Sequence, residues 1–116
     1  MDRPLFRTVA LSLALVAVVA APVGAREPVR APRGGTVHVN MRDNHFAPRS
    51  ITIDRGTSVQ WVNRGDNDHT STANGGAWSS GTLNPGESFT RRFRRTGTFA
   101  YHCNIHPLMT ATITVT

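Results

Sequence analysis

Residues 99–109 read Phe-Ala-Tyr-His-Cys-Asn-Ile-His-Pro-Leu-Met, a stretch that combines a β-strand pattern with several metal-binding side chains. Side chains two positions apart on a strand share a face, so Phe99, Tyr101 and Cys103 are predicted to point into a core together. Pro107 cannot donate a hydrogen bond to a sheet, which predicts that the strand ends near Cys103. The cysteine is therefore expected at the end of a core strand, beside the loop that follows.

Short runs of alternating apolar and polar residues recur through the chain after residue 35. Clusters of Gly, Pro, Asn and Asp separate these runs, and none has the sustained period of a helix. The alternating apolar positions are Val37, Val39, Met41, Ile51, Ile53, Val59, Trp61, Ala111, Ile113 and Val115. Short strands punctuated in this way predict an all-β fold, an antiparallel sandwich or barrel.

The first 25 residues have the features of a targeting segment. Arg3 and Arg7 make the start positive, residues 9–21 are almost wholly apolar, and small residues precede the expected cleavage after Ala25. The apolar run is too short to span a bilayer, so residues 1–25 are predicted to be a secretory signal peptide and not a transmembrane helix.

The rest of the chain is predicted to form one domain, because 116 residues are too few for two ordinary domains. Residues 26–35 are mostly Arg, Pro, Ala and Gly and are interpreted as a flexible N-terminal lead. The folded domain is then expected at residues 36–116. Export predicts a periplasmic protein, and we expect a monomer without stable membrane insertion.

The sequence is strongly basic, with 13 arginines, no lysine and 7 acidic residues. A basic surface suits an acidic partner protein, nucleic acid or a lipid surface, and export argues against nucleic acid. The simpler alternative is that net charge keeps a small protein soluble. Arg91, Arg92, Arg94 and Arg95 are expected on a solvated strand edge or face, with a docking patch as the alternative.

The chain has a single cysteine, so no internal disulfide supports the fold. An exported free cysteine is open to oxidation unless it is buried, bound to a metal or catalytic. Cys103, His106 and Met109 follow at intervals of three and offer a thiolate, an imidazole and a thioether, donors that suit copper. A trigonal copper site needs a second imidazole, and His69, in a loop rich in Asn, Asp and Gly, is the best candidate.

These features resemble the cupredoxins, the small blue copper proteins of the plastocyanin and amicyanin kind. The resemblance extends over residues 46–56, 59–69, 80–89 and 97–109. Two residues separate Cys from His and two separate His from Met, as in the short amicyanin-type loop. The resemblance implies a Greek-key β-sandwich and one copper ion that cycles between Cu(II) and Cu(I). The implied ligands are His69, Cys103, His106 and Met109.

The resemblance also implies a one-electron carrier that serves redox partner proteins and is not an enzyme. Four protein donors would leave copper no open position for a substrate. A copper-binding module for storage, delivery or resistance is the alternative, although the chain lacks the Met and His clusters that would favour it. A metal-free interaction module would require all the ligand types to coincide by chance.

Two departures from the family pattern lead to expectations about the site. Many members have Asn after the first ligand histidine, where it ties the two ligand loops together. Here the residue is Thr70, so a tie at this position, if it forms, must use a hydroxyl group. Asp66 and Asp68 are expected to bring negative charge near the metal and lower its potential. The remaining histidines, His38, His45 and His102, are expected to face solvent, with a second weak metal site as the alternative.

Overall fold

The computed structural model describes residues 34–116, and the predicted signal peptide lies outside them. This part of the chain forms eight strands. They are β1 (Thr36–Arg42), β2 (His45–Ala47), β3 (Ser50–Ile53), β4 (Ser58–Asn63), β5 (Thr72–Ala73), β6 (Ser88–Arg92), β7 (Gly97–His102) and β8 (Thr110–Val115). Residues 34–116 contain no helix of the length and apolar character needed to cross a membrane.

The strands form two four-stranded sheets, which confirms the predicted all-β sandwich. The strand order is β2-β1-β4-β6 in the first sheet and β3-β8-β7-β5 in the second. Each sheet is mixed rather than antiparallel throughout, because β1 pairs with β4, and β3 with β8, in parallel. The chain leaves the first sheet after β2, adds β3 to the second and returns as β4, which is the crossover that parallel neighbours require.

The core is built from the alternating positions, all of which are buried. Its centre is aromatic: the Trp61 ring lies 5.7 Å from Trp78, 5.6 Å from Tyr101 and 5.8 Å from Phe89, measured between centroids. Each large apolar side chain removed from water stabilises the fold by about 1.5–3 kcal/mol. Phe99, expected in the core, is only partly buried and packs against its margin.

The loops that follow β4 and β7 meet at one end of the sandwich, together with the β1–β2 turn. Met41 pairs with Asn63 at the end of β1 and β4, and the Thr70 backbone contacts Cys103 just beyond β7. We call this the cysteine end. The opposite end holds the chain terminus, where Arg55 N donates to Thr116 O at 2.8 Å.

Candidate metal centre

The loop after β4 is held by the buried side chain of Asn63. Its Nδ2 donates to Asn67 O and to Leu83 O, both at 2.8 Å, and its Oδ1 accepts from Gly65 N at 2.9 Å. The His69 backbone also pairs with that of Leu83 in both directions. These bonds fix the loop, and the His69 side chain is fully buried.

The loop after β7 closes on itself around Cys103, which is also fully buried. The Cys103 N–H donates to Met109 O at 3.0 Å, and the Met109 N–H donates to His106 O at 2.9 Å. The predicted end of the strand is confirmed, since β7 ends at His102. Met109 is buried, and these bonds hold its backbone beside that of the cysteine.

The two loops bring a thiol and two imidazoles together. Cys103 Sγ lies 3.8 Å from His69 Nδ1 and 3.9 Å from His106 Nδ1, and the three ligand atoms lie within 4.8 Å of one another. Metal–ligand bonds of about 2.0–2.3 Å would separate two ligands of one ion by roughly 3.5 Å or slightly more. The donor types and their spacing therefore fit copper.

Across residues 34–116, this is the only cluster of three or more His, Cys, Asp or Glu side chains that converges in this way. His38 and His45 are exposed, as expected, and lie on β1 and β2. His102 is half-buried, with Nδ1 2.6 Å from Asn74 Oδ1 and Nε2 2.9 Å from Asn104 Oδ1.

Asp43, which no pattern in the sequence singles out, contacts His69. It lies in the two-residue turn between β1 and β2, and its Oδ1 is 3.0 Å from His69 Nε2. The backbone N–H groups of Asp66 and Asn67 also donate to this carboxylate, and together with His69 they lower its pKa. An ionised carboxylate only accepts, so His69 Nε2 carries the proton and Nδ1 is free to bind a metal.

The carboxylate beside His69 is therefore that of Asp43, whereas the side chains of Asp66 and Asp68 are exposed. Gly65 leaves the space that Asp43 occupies, because a Cβ at this position would overlap Asp43 Oδ1. The only signal in the sequence was the Asp-Asn pair between two strands. That pair indicates a turn but does not show which loop packs against it.

Thr70 joins the two ligand loops, and the predicted hydroxyl tie is confirmed. Its Oγ1 accepts from Asn104 N at 2.8 Å, and its own N–H donates to Cys103 Sγ at 3.3 Å. The first bond holds the residue that follows the cysteine. The second places a hydrogen-bond donor on the sulfur atom, which stabilises negative charge there.

We expect Thr70→Val to destabilise the protein by about 1–3 kcal/mol, because the Asn104 N–H loses its acceptor without a change in side-chain shape. Thermal unfolding of the metal-free protein would measure this effect. Thr70→Ser, which keeps the hydroxyl, is the matched control. Equal stability of Thr70→Val and wild type would show that the hydroxyl bond contributes nothing to the fold.

An apolar surface surrounds His106. Leu108 is 98% exposed and Ile105 46% exposed, and with Pro107 and Asn44 they line a shallow depression of about 330 Å³. The His106 side chain is itself half-buried within it. We call this the Leu108 face.

Comparison with known proteins identifies relatives with this fold. The family model of the Cupredoxin-like domain matches residues 9–115, a match that begins inside the predicted signal peptide. Plastocyanin of Scenedesmus fuscus is 40% identical over 83 residues, 60% of this chain and 85% of that protein. A purple cupredoxin from Nitrosopumilus maritimus superposes with a TM-score of 0.63 at 24% identity, over 68% of this chain and 98% of that one. An oxidised amicyanin variant superposes with a TM-score of 0.65 at 20% identity, over 69% of this chain and 81% of that one.

Proposed function

Because this chain belongs to the cupredoxin-like family, we propose that it is a one-electron carrier with a single copper ion held by His69, Cys103, His106 and Met109. The convergence of Cys103 Sγ with the two imidazole Nδ1 atoms within 4.8 Å carries the proposal. Copper, when bound, supplies a Cu(II)/Cu(I) couple. Met109 would complete the set as a weak thioether donor that tunes the reduction potential.

The residues around the ligands suit rapid electron exchange, because they keep the ligands in one arrangement. Asp43 orients His69, Thr70 ties the ligand loops together, and the Cys103–Met109 backbone bond closes the second loop. These bonds do not depend on the oxidation state of a metal. Little should therefore rearrange when an electron arrives or leaves, and four protein donors would leave the copper no open position for catalysis.

We place the protein in the periplasm, as a monomer that meets redox partner proteins briefly. The predicted signal peptide at residues 1–25 supports export, and burial of the lone Cys103 suits an oxidising compartment. The Leu108 face suits short-lived docking, since a small apolar surface excludes water without forming a permanent interface. His106 lies within this face and is the one proposed ligand that is not buried, so it connects the surface to the site.

Copper titration of the purified protein tests the proposal. We expect one equivalent of Cu(II) to bind and to produce intense visible absorption from thiolate-to-copper charge transfer, which ascorbate bleaches and an oxidant restores. A colourless adduct, or several equivalents of weakly held copper, would contradict the proposed site. Rapid loss of Cu(I) to a chelator would indicate copper handling instead of electron transfer.

Leu108→Asp is expected to slow electron exchange with a partner by about tenfold or more, because a carboxylate in the docking surface must be desolvated. The side chain is 98% exposed, so colour and potential should stay close to those of wild type. Stopped-flow rates with a native donor or acceptor would measure the effect. Thr110→Asp, at an exposed position on β8, is a matched control. An unchanged rate for Leu108→Asp would place docking elsewhere.

A further inference from the structure

Four arginines surround a groove on the flank of the sandwich. Arg91, Arg92, Arg94 and Arg95 line it together with Phe93 and Phe99, and its volume is about 330 Å³. We call it the arginine groove. Within residues 34–116, none of the four guanidinium groups pairs with a carboxylate. The groove is therefore a concentrated positive surface with an apolar floor.

The arginine groove is separate from the Leu108 face. Arg94 and Arg95 come just before Gly97, the first residue of β7, whereas Cys103 follows its last residue. Six residues of strand span about 20 Å, so these arginines lie far from the cysteine end. A partner bound in the groove would leave the Leu108 face free.

The groove lies beside an open strand edge, because one of its lining residues, Phe99, belongs to β7. β8 pairs with β7 over its full length, but on the other side β5 pairs only with Tyr101 and His102. The last bond on that side runs from Asn74 N to Ala100 O at 2.9 Å. Residues two apart direct their backbone groups to the same side, so Thr98 N–H and C=O face this edge, which no other strand of the described residues covers.

Two of the arginines are already held in place. Arg91 Nη1 donates to Ala77 O at 2.7 Å, and the guanidinium lies 5.5 Å from the ring centres of Trp78 and Phe93. Arg92 Nε donates to Gly56 O at 3.2 Å. An ordered cation loses less conformational entropy when it binds an anion. Arg94 and Arg95 are exposed and line the same groove.

We propose that an acidic, extended segment of another protein binds in the arginine groove as an added strand on β7. The open edge supplies main-chain hydrogen bonds, and alternate side chains of the segment place carboxylates on the arginines, a recognised mode of peptide binding. The N-terminal part of this chain is a poor occupant, because residues 26–33 carry three arginines and one glutamate. The site is independent of copper and would bring a partner to a surface that electron exchange does not use.

A peptide titration followed by ¹H–¹⁵N NMR tests this proposal on the copper-loaded protein in its reduced, Cu(I) state. The probe is an acetylated and amidated octapeptide of alternating Glu and Val, and the matched control replaces each Glu with Lys. We expect shifts at Thr98, Phe99 and Arg95 and slower hydrogen exchange of the Thr98 amide. No binding of the acidic peptide, or shifts centred on the Leu108 face, would overturn the proposal.

Charge reversal separates this site from general electrostatic attraction. The double variant Arg94→Glu/Arg95→Glu should lower the affinity for the acidic peptide by about tenfold or more. The double variant Arg49→Glu/Arg64→Glu, at exposed positions outside the groove, should lower that affinity much less. Equal weakening by both pairs would overturn the proposal. So would binding of inorganic phosphate or phosphatidylglycerol vesicles through Arg94 and Arg95 without binding of the peptide, since the site would then recognise free anions or lipid headgroups.

Discussion

Cys103→Ser is expected to abolish the intense visible absorption of the copper-loaded protein while the sandwich stays folded. The sulfur is the only thiol in the chain and is fully buried between the two imidazoles. An alcohol is a poor copper ligand at neutral pH because it stays protonated, so copper affinity should fall by orders of magnitude. Serine is close to cysteine in volume and accepts from Thr70 N, so circular dichroism should show a folded protein.

Met109→Leu is the control for this substitution. It changes a buried residue of the same loop with little change in volume, and it removes a weak donor instead of the thiolate. We expect copper and colour to remain and the reduction potential to rise, because a donor that favours Cu(II) is lost. Colour that persists in Cys103→Ser, or copper binding that disappears in Met109→Leu, would contradict the assigned roles.

Asp43→Asn is expected to weaken copper binding by about 10–100-fold and to raise the reduction potential. An amide removes the negative charge beside His69. With its amide oxygen at the Oδ1 position, Asn keeps the acceptor of His69 Nε2 but sets its NH₂ group against Asp66 N, another donor. With the NH₂ group at the Oδ1 position it donates to His69 Nε2, which moves the imidazole proton to the metal-binding nitrogen. Either arrangement holds the Nε2-protonated imidazole less firmly than the carboxylate does. Competition with a copper chelator and voltammetry measure the two effects. ¹⁵N NMR of the metal-free protein reports the His69 tautomer without any metal.

Gly65→Ala tests the contact between Asp43 and His69 without changing either residue. Its added Cβ would overlap Asp43 Oδ1, so the carboxylate must leave His69 although its charge is retained. We expect the tautomer and affinity changes of Asp43→Asn, with about 1–3 kcal/mol of destabilisation from crowding. The Asp66→Asn control removes an exposed carboxylate of the same loop and should leave the tautomer unchanged. An Asp43→Asn protein with wild-type affinity and tautomer would show that Asp43 does not position the histidine.

Local patterns in the sequence were sufficient to predict β1, β3, β4, β7 and β8 and much of the candidate site. Alternation identifies which side chains share a face, because it follows from the geometry of a single strand. The spacing from Cys103 to Met109 lies within one loop, so these donors are close in any fold. His69 is distant in sequence, and its selection rested on the composition of its loop together with the family resemblance.

Contacts between distant segments could not be predicted in this way, because alternation is the same whichever neighbour a strand has. The crossover after β2 makes β1 and β4 parallel, and thereby sets the β1–β2 turn beside the loop that carries His69. The Asp43 contact depends on that arrangement and on the space left by Gly65. In the same way, the arginines appear in the sequence as a cluster of charge. Their position far from the cysteine end, along an edge that the two-residue β5 leaves open, follows from the strand order of the folded sheets.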